Sequence, residues 1–150
     1  MRLTLEDPRF LKDSIGIISE LVNEARFKVT KESMELVAMD PANVAMVIFK
    51  LLSSAFVEYK LENDVELSIN LDNLKKILRR ASPGETLTLE MEKSKLKVTL
   101  EGRAKRTFSL PILEFEGREQ KIPDLKFPAS VTLSPGLLEN AIDDVDVVAE

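Results

Sequence analysis

The sequence predicts an α+β fold built from duplicated βαβββ half-domains. Three observations carry that reading. A strand-like segment followed by a helix-capping residue occurs as RLTLE with Asp7-Pro8, as VELSI with Asn70-Leu71, and as SVTL with Ser134-Pro135. The caps at 7, 70 and 134 stand 63 and 64 residues apart. Each of the first two helical stretches is followed by three further strand-like runs. Asp, Asn and Ser are all N-cap residues, and Pro is favoured at a first helical position because its missing N–H leaves nothing unsatisfied there. A period near 63 exceeds that of the common solenoids and points to a ring or multi-domain array made of such halves. The third copy stops after its helix, so the expectation is that these 150 residues belong to a longer natural protein.

Taken in order, the apolar residues Phe10, Leu11, Ile15, Ile18, Leu21 and Val22 fall on one helical face between Pro8 and Val22. ARFKVT and MELVAM alternate around Lys31-Glu32-Ser33 and predict a hairpin. VAMVIFKLL is a denser apolar run, expected to be a buried strand, and a loop is expected over 53–62. The second copy repeats the plan. LDNLKKILRRA is a helix ended by Ser82-Pro83-Gly84, TLTLEM and KLKVTL form a hairpin turning at Lys93-Ser94, and KRTFSLPIL is a strand whose Pro111 suits an edge. The polar, aperiodic stretch 114–126 reads as a linker. FPASVTLS then opens the third copy, and PGLLENAIDDVDVVAE is its helix.

Composition narrows the function. With 44% hydrophobic residues the chain can build a core, and no apolar run approaches the roughly 18 residues of a membrane span. The N-terminus lacks the apolar block of a signal peptide. Cys and His are absent, which excludes disulfides, thiolate chemistry and imidazole catalysis or ligation. The five Gly are scattered singly, so there is no glycine-rich phosphate loop. Abundant Lys, Arg and Glu without Cys is a composition met in thermophiles. A net charge of −5 argues against a nucleic-acid-coated surface but leaves room for a local basic patch.

That patch is the second helix. At 100° per residue Leu71, Leu74, Ile77 and Leu78 share an arc, while Lys75, Lys76, Arg79 and Arg80 fill the opposite side. Cations near a helix C-terminus are also favoured by its dipole, so a plain solvated face is one reading and a phosphate contact the other. Lys12 on the first helix extends the same surface. No Trp and one Tyr make a stacking platform for single strands a poor fit. Such a surface binds duplex backbone without sequence preference. Asp143, Asp144, Asp146 and Glu150 form the densest acidic run; half a divalent-metal site is one reading, a solvated face the commoner one. No cofactor is implied, and nothing favours an enzyme.

The sequence resembles the sliding clamp family, in its archaeal PCNA (proliferating cell nuclear antigen) branch. The resemblance rests on LVNEARFKVT at 21–30, LVAMDPANVAMVIFKL at 36–51, NLDNLKKILRRA at 70–81 and IPDLKF at 122–127. It implies the DNA-clamp fold: a toroidal trimer with helices lining the hole, sheets outside and duplex DNA passing through. Four halves of about 63 residues need roughly 250 in all. This chain then holds a first clamp domain (1–113), an interdomain connector (114–126) and the beginning of a second domain (127–150).

Residue by residue, the resemblance puts DNA-facing cations at Lys12, Lys76 and Arg79, with Lys75 and Arg80 flanking them. Where the family has a cation on the third helix, this chain has Asp143. A partner site is implied beneath the connector, walled by Met39, Asn43 and Met46 on one side and Ile122, Pro123 and Phe127 on the other. Clients such as DNA polymerase, flap nuclease, ligase and the clamp loader insert a short apolar motif there. Subunits are expected to pair through the strand carrying Lys105, Thr107, Phe108, Ser109, Leu110 and Ile112, so a chain ending at Glu150 is expected not to close a ring by itself. The resemblance implies no metal, no membrane and a cytoplasmic protein on chromosomal DNA. A subunit of a heterotrimeric clamp, or an interaction scaffold that never encircles DNA, remain open alternatives.

Overall fold

The fold was obtained as a computed structural model, which describes residues 1–114 and 120–148. The first half runs β1 (Arg2–Leu5), α1 (Arg9–Leu21), β2 (Glu24–Val29), β3 (Ser33–Met39) and β4 (Met46–Leu52). A 3-10 turn, Ser53–Ala55, leads into the short strand β5 (Glu58–Lys60). The second half runs β6 (Val65–Asn70), α2 (Leu71–Leu78), β7 (Thr86–Glu92), β8 (Lys95–Glu101) and β9 (Lys105–Pro111). Helix α3 (Pro135–Asp146) follows the connector. Both βαβββ units form where the repeat places them.

The halves exchange strands. One sheet is ordered β5-β1-β7-β8-β9 and the other β4-β3-β2-β6, all antiparallel. Each sheet therefore holds strands from both copies, which joins the two halves into one domain. Their alternating apolar faces (Leu3, Leu5, Leu87, Leu89, Val98 and Leu100 in one; Phe27, Val29, Leu36, Leu67 and Ile69 in the other) meet the buried sides of α1 and α2 in a single core. At the rim, Leu113 donates its N–H to the Ser68 carbonyl at 2.8 Å and ties the end of β9 to β6.

Local signals hold at most ends. Asn70 Oδ1 accepts the Asn73 N–H at 2.9 Å, and Asp7 Oδ1 accepts the Arg9 N–H at 3.0 Å. Pro8 occupies the cap position of α1 instead of its first turn. Between Ser82 and Glu85 the chain makes a turn with Pro83 second and Gly84 third, and φ is +80° at Gly84, a value that favours glycine.

Four expectations are corrected. The 53–62 loop contains β5, which pairs with β1 in the register Leu3↔Tyr59. β4 is an edge strand with one face open: Phe49 and Leu51 are buried, while Ile48 and Leu52 are each 54% exposed. On α1 the buried set is Leu11, Ile15, Ile18 and Ser19; Phe10 and Leu21 lie on the open flank, and Phe10 stacks on Phe49. SVTL is not a strand, because no other described strand lies beside it to pair. The apolar side of α3 is open too, with Leu137, Leu138, Ile142 and Val145 all exposed.

The β5–β1 contact carries a pH signature. Glu58 accepts from Lys60 at 2.6 Å and from Arg2 at 2.8 Å, and the Thr4 hydroxyl also donates to it. Lys60, then Arg2, draws its carboxyl down to about 2. A depressed folded pKa gives a contribution that is complete above the unfolded value near 4.5 and lost as pH falls toward 2. Stability followed by urea unfolding should therefore decline through that window, and less steeply in Glu58→Gln. Equal acid-side slopes for both proteins would show that this cluster does not govern the decline.

Candidate nucleic-acid and partner surfaces

Helix α2 owes its position to Leu71, Leu74, Ile77 and Leu78, all buried, which fix the opposite side toward solvent. Lys76, Arg79 and Arg80 are exposed there and have no ion-pair partner among the described residues. Asp72 in the first turn and the cations in the last both complement the helix dipole. Lys12 is half-buried on α1 and likewise without an ion-pair partner among the described residues.

Lys75 differs from its neighbours. Its side chain is only 15% exposed, and its ammonium is ion-paired with Glu20 of α1, whose carboxyl it holds below the usual range. Lys75 is thus an interhelical strut with its charge already matched. α1 also exposes Asp13 and Glu20, so the free positive charge of the helix pair concentrates on α2.

The hairpin loop between β3 and β4 is shaped by Asp40. Its carboxylate accepts the N–H groups of Ala45 at 2.8 Å, Val44 at 2.7 Å and Ala42 at 3.3 Å, and these bonds, Ala45 first, hold it below the usual carboxylate range. Asn43 takes a left-handed conformation, φ +56°, which Asn tolerates better than most residues. Met39 and Met46 face each other across the ladder, both half-buried. Val44, in the loop that joins their strands, is 85% exposed and adds an apolar side chain to the same hairpin end. Sequence reasoning missed it, although a lone Val in a polar turn was a usable signal.

The structure brings Met39, Asn43 and Met46 together but does not bring the connector onto them. Ile122, Pro123 and Phe127 are exposed, as is Leu125, and the Leu125 N–H donates within the connector itself, to the Pro123 carbonyl. Part of the connector, 115–119, lies outside the described residues, as does Glu150 of the acidic run. Among the described residues no cluster of carboxylates has the arrangement of a metal site.

β9 is the last strand of its sheet, and no strand among the described residues pairs with its outer edge. Lys105, Thr107 and Ser109 point to solvent, whereas Leu110 is buried and Phe108 and Ile112 are half-buried. The residues expected at a subunit contact therefore split into an outward set and a core-packing set.

Known proteins share this sequence pattern and fold. Residues 1–113 match the family profile of the proliferating cell nuclear antigen, N-terminal domain. The chain is 39% identical, over its whole length, to the DNA polymerase sliding clamp of Nanoarchaeum equitans, and 40% identical over 92% of its length to that of Thermococcus gammatolerans. It covers 61% and 56% of those proteins, so it spans less than two thirds of the relatives it matches. The PCNA crystal structure from Thermococcus kodakaraensis superposes with a TM-score of 0.79 at 27% identity, covering 83% of this chain and 51% of that one. A chain of the PCNA2–PCNA3 complex from Sulfolobus tokodaii shares the fold, with a TM-score of 0.90 at 22% identity over 99% of this chain and 61% of that one.

Proposed function

Because the chain belongs to the proliferating cell nuclear antigen family of DNA sliding clamps, we propose that it forms part of a ring that encircles duplex DNA and tethers replication and repair proteins to it. The reading takes 1–113 as the first clamp domain, 114–126 as the connector and 127–150 as the opening of the second. The observation that supports it best is the row Lys76, Arg79 and Arg80: exposed, without a salt bridge among the described residues, and carried on the solvent side and C-terminal end of α2 in an otherwise acidic chain. Lys12, half-buried on α1, adds to the row, and Lys75 stiffens the helix pair. Asp143 on α3 weakens that helix's share of the contact.

The mechanism is topological. The ring catalyses no bond change; it converts a short-lived polymerase–DNA contact into one limited by ring opening, by raising the client's effective concentration. A few phosphate contacts of fully hydrated cations suffice, since stronger ones would impede sliding. An acidic outside and a basic inner wall centre the duplex. The neighbouring subunit pairs along β9, and the likeness to sliding clamps makes the assembly a trimer of like or related chains. The setting is the cytoplasm of an archaeal cell, on chromosomal DNA. The decisive experiment loads the full-length clamp onto DNA: retention on closed circular plasmid with loss on linearisation is expected. Equal retention on both forms would leave only a scaffold that does not encircle.

Clients would dock on Met39, Asn43, Val44 and Met46, with Ile122, Pro123 and Phe127 closing over them. Met side chains adapt to varied apolar anchors, which suits DNA polymerase, flap nuclease, ligase and clamp loader motifs alike. Met39→Ala and Ile122→Ala should each weaken a client-motif peptide by at least about 1 kcal/mol in calorimetry on the full-length protein. Affinities equal to wild type in both variants would remove the groove.

A further inference from the structure

Alternation along β9 puts one cation in the wrong phase. Lys105, Thr107 and Ser109 face out, but Arg106 shares the inward side with Phe108 and Leu110. A charge in the apolar phase needs partners, and Arg106 has two. Its Nη2 donates to the Glu85 carboxylate oxygens at 2.6 and 2.8 Å and to the Arg80 carbonyl at 3.0 Å. Glu85 is itself fixed. Its Oε2 accepts the Ser82 N–H at 2.9 Å, its side chain is 13% exposed, and a Cβ on Gly102 would lie 2.8 Å from its Cγ. The β8–β9 turn therefore closes directly onto Glu85, which glycine alone permits without a shift. The Arg80 carbonyl lies in the turn just past the C-cap of α2, beyond the reach of the helix's own N–H donors.

We propose that Arg106 is a positioning residue that, through Glu85 and the Arg80 carbonyl, sets the end of the basic helix against the subunit-pairing strand. This rests on the clamp reading above. A neighbour docking on or leaving β9 moves the foot of the strut, and Arg79 and Arg80 move with it. DNA contact is in this way tied to ring closure. An inward charge on an edge strand can also serve simply to deter stray pairing, but that role would leave α2 indifferent.

The test is a double-mutant cycle on the full-length clamp, read as retention on circular DNA across a salt series. Arg106→Met should shorten retention at least about twofold with the assembled ring and its circular dichroism unchanged. It should add no further loss in a background already carrying Arg79→Ala with Arg80→Ala, because it acts through those residues. Should Arg106→Met fail to fold, Glu85→Gln keeps an oxygen for the Ser82 N–H and carries the same cycle. Losses that add in the double background, or unchanged retention in both Arg106→Met and Glu85→Gln, would overturn the strut. If Arg79→Ala with Arg80→Ala alone changes nothing, the DNA-facing reading falls first and the strut falls with it.

Discussion

Lys76→Glu combined with Arg79→Glu in the full-length ring should leave folding intact and sharply reduce retention on DNA. Both side chains are exposed and without ion-pair partners among the described residues, and Leu71, Leu74, Ile77 and Leu78 beneath them are untouched. Surface changes of this kind alter stability by about 0.5 kcal/mol or less. The effect on DNA is larger because two charges change sign at the phosphate backbone, a net change of four units. Each phosphate contact contributes about 0.9 to the slope of log affinity against log salt, so loss of two should reduce that slope by about 2. A slope equal to wild type would take these residues off the DNA-facing wall. Lys75→Gln is the informative contrast. Its charge is spent on Glu20, so it should loosen the helix pair more than it alters the salt slope.

Leu78→Ala should be the most destabilising single change considered, by roughly 2–5 kcal/mol in denaturant unfolding. Leu78 is fully buried within the single core of the domain, on the last turn of α2. Its loss removes transfer energy and leaves a cavity that interlocked strands from both halves cannot collapse to fill. Against a typical domain stability of about 5–15 kcal/mol this is a large fraction. Ile17→Ala, on the 69% exposed flank of α1, should cost about 0.5 kcal/mol or less. Similar losses for both would mean that the core is not organised as described. The Leu78 change should also weaken DNA retention, since Lys76 and Arg79 ride on the helix it anchors.

Much of the framework that carries the candidate surfaces was legible in the sequence. The inward arc of α2 follows from four apolar residues at helical spacing, and all four are buried. Pro111 marked β9 as an edge because it cannot donate to a ladder on its far side, and β9 is the edge. Met39 and Met46 were grouped through the family resemblance alone, and the ladder places them opposite each other. What was not legible depended on distant partners. β5 is only three residues long and exists through β1, more than fifty positions away. The role of Lys75 needs Glu20 on another helix, and that of Arg106 needs Glu85 and the Arg80 carbonyl.

The sequence by itself determined the local elements and their repetition, because capping, alternation and turn chemistry act over a few residues. It also determined which side of α2 is apolar, and that this chain offers no imidazole or thiol chemistry. Only the tertiary structure decided how the two copies interlock, since antiparallel pairing of β1 with β7 and of β2 with β6 joins segments far apart in the chain. That interlock selects which cations remain free. Lys75 and Arg106 are spent on holding α2 to α1 and to β9, whereas Lys76, Arg79 and Arg80 are left facing solvent. The difference is physical: a residue's charge is written in its side chain, but whether that charge is available depends on what the fold places beside it.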